Sequence, residues 1–220
     1  MTHHPQADTL ISYVAGTLPN SIACVVACHL DLCKECSAHA RRLGIVGGLM
    51  LRKVEAAPPD TAFGTAASMH WSAETLPPRE GRRCGPAPDD VRDPWLPSPL
   101  ADYLAMSGDD IPWKRVVKGV QQYWVKLPEG SGQIRLLRLA PGKLLLEHTH
   151  TGMELTLVLQ GVYGDHSGEY IRGDVIEWSE GSLHQPRAGG DVECICVIAS
   201  ERTPYFTRLA ARLLRPIMGF

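Results

Sequence analysis

Apolar residues recur at helical spacing through the first quarter of the chain and at strand-like spacing through its second half. In residues 7–18, Leu10, Ile11, Val14 and Leu18 share one side of a predicted helix. Asp8 or Thr9 is placed to cap its start, and Pro19 and Asn20 to end it. A second helix follows from Ser21, with Ile22, Val25, Val26 and His29 along one side. A third is predicted over 36–54, with Leu43, Val46, Met50 and Val54 as its stripe and Gly47-Gly48 interrupting its middle. From Ala56 to about Pro99 the pattern dissolves into a Pro- and Gly-rich linker, with room for one short helix over 60–73. A short helix over 99–106 leads into apolar runs separated by turn residues. These predict strands over 114–120, 122–127, 134–140, 144–147, 154–160, 163–164, 169–171, 174–178 and 192–199. Short strands of this kind build a small antiparallel barrel or jelly roll. From Pro204 to Ile217, Phe206, Leu209, Leu213 and Ile217 line one side of an amphipathic helix with arginines around the rest. Packing on the barrel is its commoner use; binding a membrane surface or a partner is the other.

The organisation is therefore α+β and multidomain. A helical unit occupies 1–85, its linker beginning at about 56; a β-barrel unit spans 95–200, and a C-terminal helix 201–220. A helical core of about 55 residues is too thin to be stable on apolar burial alone. Composition narrows the function. A net charge of −2 gives no electrostatic case for binding nucleic acid or an anionic membrane. No run of about 18 apolar residues predicts a membrane span. Residues 1–6 carry neither a basic residue nor an apolar core, so no signal peptide is expected and the chain reads as cytoplasmic. Seven cysteines suit no disulfide framework, and the Cys33-x2-Cys36 pair beside a histidine favours thiolate metal binding.

That pair supplies the staple the thin helical core needs. His29, Cys33 and Cys36 bracket the junction of the second and third helices, and tetrahedral zinc requires a fourth ligand. His4, just ahead of the first helix, would clamp the N-terminus onto that junction; His3 beside it is the alternative. Zinc would then contribute folding free energy directly. Cys24 and Cys28 are either extra ligands or, as is commoner for cysteine, small core residues. Cys84 is a linker thiol with no argued role. His39, His70 and His166 have no partner at ligand spacing.

A second cluster organises the other half. Gly142 is followed after five residues by His148-Thr149-His150, after three more by Glu154, and after six more by Gly161. The two histidines, two apart, leave the same face of a strand, and Glu154 joins them if the strand continues unbulged. Gly173, Gly181 and a third histidine, His184, follow. Three imidazoles and a carboxylate describe a first-row transition-metal site.

This stretch resembles the cupin superfamily. The first cupin motif is matched throughout by Gly142, His148, His150, Glu154 and Gly161; in the second, Ser179 replaces the usual proline and Ala188 the usual asparagine. The spacing His4-x24-His29-x3-Cys33-x2-Cys36 resembles a zinc-binding anti-sigma domain, and prefers His4 over His3. The chain as a whole resembles the ChrR family of zinc anti-sigma factors. That resemblance implies a helical domain binding an extracytoplasmic-function sigma factor one-to-one and blocking its access to RNA polymerase. It implies zinc in the N-terminal site, zinc or another divalent first-row metal in the cupin, and release on oxidative stress of the singlet-oxygen type. It also includes a C-x-C, here Cys194 and Cys196, readable either as barrel-wall filling or as a redox-sensing thiol pair. The alternative function is a dioxygenase-like cupin metalloenzyme carrying a regulatory zinc module.

Overall fold

The computed structural model describes residues 1–54, 93–128 and 130–202 and the backbone of Tyr205 and Phe206. Most of the linker, with its optional helix, His70 and Cys84, lies outside the described residues. So does the expected C-terminal helix beyond residue 206.

Helix α1 spans Ala7–Ala15 and stops at Gly16, whose φ of 70° turns its N–H back onto the Ser12 and Tyr13 carbonyls. It thus ends short of the expected residue 18. Its N-cap is Gln6, without a side-chain bond, and not Asp8 or Thr9. The Thr9 hydroxyl instead donates to Glu177 across the molecule at 2.7 Å. Helix α2, Asn20–Leu32, starts after Pro19. The Ser21 amide, one of the orphan donors of its first turn, donates to the Ser131 carbonyl at 2.9 Å. Cys33 alone separates α2 from α3, Lys34–Leu51. Its amide closes α2 onto the His29 carbonyl, and its Sγ caps α3 by accepting from the Cys36 amide. No described helix is long and apolar enough on its own to cross a membrane.

Helix α4 is Ser98–Leu104. The strands after it are β1 Lys114–Val117, β2 Val120–Val125, β3 Gln133–Leu139, β4 His148–Thr149, β5 Glu154–Gln160 and β6 Val162–Asp165. Then come β7 Gly168–Ile171, β8 Val175–Trp178, β9 Leu183–His184, β10 Arg187–Gly189, β11 Cys194–Ser200 and β12 Tyr205–Phe206. All pairings among them are antiparallel. Six strands form one sheet in the order β1-β2-β3-β11-β5-β8; the others form two three-stranded sheets, β10-β6-β7 and β12-β4-β9. The ladders do not close into a continuous barrel as expected; the result is a jelly-roll-like packing of sheets. The strand expected over 144–147 is reduced to a single bridge between Leu144 and Arg187. Leu144 and Leu146 are exposed there, so burial gives those residues no reason to extend the ladder.

The centre of the large sheet is buried on both faces: every residue of β11 and all of β5 but Gln160 are buried. Leu155, Leu157, Leu159, Ile195, Val197 and Ala199 face the helices and share one core with Ile22, Val25, Val26 and Leu100. Val158, Cys194, Cys196 and Ile198 face the other way, into a second core with Tyr163, Tyr170 and Trp178. The helical unit is therefore not a separate thin core. Ile22, Val25 and Val26 are fully buried, each contributing about 1.5–3 kcal/mol relative to exposure.

Candidate functional site

The N-terminal cluster forms where α2 hands over to α3. His29 lies one turn before the end of α2, Cys33 is the junction and Cys36 sits in the first turn of α3. His4 reaches them from the segment ahead of α1: its Nδ1 is 3.6 Å from the Cys33 Sγ and 3.3 Å from the Cys36 Sγ. Tetrahedral zinc with ordinary Zn–S and Zn–N bond lengths places sulfur and nitrogen ligands about 3.5 Å apart. The four ligand atoms lie within 4.8 Å of one another. The His29 Nδ1–H donates to the Gly173 carbonyl at 2.8 Å, which leaves Nε2 as the free lone pair. That Nε2 is buried without a hydrogen-bond partner, which suits a metal ligand and little else. Burial, reinforced by Cys33 alongside, pushes the Cys36 thiol up to about 12. A second thiolate in that spot calls for a cation. These residues fit zinc. His3 is turned away, its Nδ1 3.4 Å from Asp174.

The second cluster is buried within the cupin-like unit. His148 and His184 are cross-strand partners in the β4–β9 ladder. Their Nε2 atoms are 3.0 Å apart, and the Nε2 of His150 is 3.2 Å from that of His184. Ligands at ordinary metal–nitrogen distances sit about 2.9–3.3 Å apart between octahedral and tetrahedral geometry. The histidine strand does not run on unbulged to Glu154. A turn intervenes, and Glu154 opens β5, its carboxylate 3.4 Å from His150 Nδ1. The four ligand atoms again lie within 4.8 Å of one another. The His148 Nδ1–H donates to the Leu146 carbonyl at 3.0 Å, aiming Nε2 inward. Burial, then the His148 and His150 rings, push His184 down to about 2. Burial also lowers His148 and His29. Neutral imidazoles are the form a metal needs.

Several contributors were not visible as such in the sequence. Asp165 on β6 lies 3.5 Å from His184 Nδ1, and both atoms are buried without another partner. This is the carboxylate–histidine pairing that orients metal ligands. Trp178 forms a wall, stacked on His150 at 6.1 Å and tilted against His184 at 4.3 Å. A cavity of about 560 Å³ opens beside His184, lined by Glu147, Asp165, His166 and Arg187 among others. His166 is thus near the centre, although nothing in its spacing signalled it. Cys24 and Cys28 are buried core residues of α2 and belong to neither cluster. Cys194 and Cys196 are fully buried on the inward face of β11. Contact with Cys194, and burial, push the Cys196 thiol up.

The ChrR cupin-like domain family matches residues 102–203. Anti-sigma-E factor ChrR of Cereibacter sphaeroides is 37% identical over 215 residues, covering 97% of this chain and 96% of that protein. A chain in the crystal structure of Rhodobacter sphaeroides SigE in complex with the anti-sigma ChrR superposes with a TM-score of 0.71. It is 31% identical, over 91% of this chain and 99% of that one.

Proposed function

This chain belongs to the ChrR family, and on that premise we propose that it binds and inhibits an extracytoplasmic-function sigma factor in a one-to-one complex. It is a regulator and not an enzyme, as its relative is an anti-sigma factor. One observation carries the reading. The second half of α3 and the residues after it present Ile45, Val46, Leu49, Met50, Leu51 and Val54, each between 53% and 73% exposed. Of the predicted stripe only Leu43 packs inward and the rest faces outward, because α3 is held to the fold at its first half, by Cys36 and Ala40. A contiguous apolar helix face of this kind marks a protein interaction site.

The remaining assignments follow from that role. Zinc held by His4, His29, Cys33 and Cys36 fixes the angle between α2 and α3 and so presents the apolar face. When bound it supplies cross-linking free energy to the α2–α3 junction and the N-terminal segment. The cupin centre, His148, His150, Glu154 and His184, takes zinc or another divalent first-row metal. The protein acts in the cytoplasm, where the sigma factor and its polymerase are, and touches neither DNA nor membrane. Release answers oxidative stress of the singlet-oxygen type, sensed in the cupin unit, with Cys194 and Cys196 as the redox pair. Their burial and the raised Cys196 thiol favour a small uncharged oxidant over one that needs an exposed thiolate. Release further requires that the oxidised cupin bind the sigma factor less well than the reduced one.

In vitro transcription tests this. Core polymerase with an extracytoplasmic-function sigma factor from the same genome should fall silent when the full chain is added, and recover after illumination with a singlet-oxygen photosensitiser. Unimpeded transcription with the protein present would refute inhibition; silence that persists after illumination would refute the sensing role.

A further inference from the structure

Three consecutive residues in the turn between β7 and β8 hold three distant segments of the chain. Arg172 donates to the Pro94 carbonyl at 2.6 Å and the Trp95 carbonyl at 3.1 Å, where the chain re-enters the described fold, and also to the Leu159 carbonyl. Gly173 accepts the His29 Nδ1–H. Asp174 divides its carboxylate. Oδ2 accepts the Ile171 amide at 3.0 Å and so stabilises the turn itself. Oδ1 accepts the amides of Thr2 at 2.7 Å and His3 at 3.1 Å. The Val175 amide then donates to the His3 carbonyl at 3.1 Å. The residue directly before His4 is thereby fixed on both its N–H and its C=O. The His4 ring itself meets the two thiols and the edge of His29.

Two of the four N-terminal ligands, one on α2 and one ahead of α1, are therefore aimed by one cupin turn more than 140 residues away in sequence. Ligands oriented by fixed hydrogen bonds bind metal more tightly than the same ligands on free segments, because the ordering is complete before the metal arrives. We propose that the Gly173–Asp174 turn of the cupin unit is the outer shell of the N-terminal metal centre, with Asp174 the positioning residue for His4. The retention and geometry of that metal then depend on the cupin unit being docked. This rests on the zinc reading given above.

Cobalt distinguishes the two claims. Among the clusters described, only the N-terminal one contains thiolates, so a thiolate-to-cobalt charge-transfer band in the full-length protein reports that centre alone. Absence of the band in the wild type would sink the zinc reading itself. With the band present, Asp174→Ala should shift it and speed its loss to EDTA about 10–100-fold. Asp174→Asn, which keeps an acceptor for the Thr2 and His3 amides, should fall between. Cobalt remaining in the cupin centre should be retained as in the wild type. Thr2→Pro removes one donor without touching the turn, and covers the case in which Asp174→Ala does not fold. It too should release cobalt several-fold faster. Wild-type band and wild-type release in both Asp174→Asn and Thr2→Pro would overturn the proposal.

Discussion

His148, His150 and His184 meet by their Nε2 atoms at 3.0 and 3.2 Å, and that distance decides what happens when one is removed. A His148→Ala, His150→Ala double variant should lose the cupin metal while the N-terminal centre keeps its own, since the two clusters share no ligand. Metal analysis before and after mild chelation checks this; an unchanged total would dismiss the assignment. Protons compete for the same lone pairs. His29, His148 and His184 are all held below the ordinary 6.5 by burial. In the unfolded chain they take up protons near 6.5, so below that pH the unfolded state binds more protons and stability falls as pH falls. Metal-free protein should therefore melt at a lower temperature at pH 5 than at pH 7, and a flat profile would contradict the burial of neutral rings. The members of the two clusters were legible in the sequence, because few residue types bind transition metals and most of their spacing is local. The orienting roles of Asp165, Asp174 and the Gly173 carbonyl were not. Carboxylates and glycines are common, and what these three orient comes from distant positions that no local pattern marks.

At the scale of elements, periodicity revealed that α3 has an apolar stripe but not what covers it. Val46, Met50 and Val54 repeat as a buried face would, yet they are exposed. Strand β11 was informative in the opposite sense: it runs from Cys194 to Ala199 without a polar residue, and a strand buried on both faces shows no alternation. The division of labour on β11 follows from parity: Ile195 and Val197 meet the helices, Cys194 and Cys196 the inner core. Helix α2 packs on both β5 and β11 and carries His29. Ile22→Ala, at a site with no exposure, should cost about 2–5 kcal/mol. Chemical denaturation of the metal-loaded protein would measure it, and a loss well under 1 kcal/mol would mean that the α2–sheet contact is loose.

At the scale of the molecule, two units read in sequence as separable share one apolar core and a set of hydrogen bonds from residues 2, 3, 9, 21 and 29 to the sheet unit. Spacing showed two complete ligand sets but could not show that the surfaces between them fit. Strand β8 starts beside the turn that aims His4 and ends at Trp178, which stacks on His150. The outer shell of one centre and the wall of the other are thus one short strand apart. Calorimetry should show a single cooperative transition, and two resolved transitions would mean that helices and sheets unfold independently. The central claim is that the metal-held helices present an apolar face to a sigma factor. Titration calorimetry of the full chain with an extracytoplasmic-function sigma factor tests it most directly, using wild type and a Leu49→Asp, Met50→Asp variant. The expected result is one-to-one binding that weakens at least about 100-fold in the variant, with both metals retained. Equal affinity in the two proteins, or no binding by the wild type, would contradict the account.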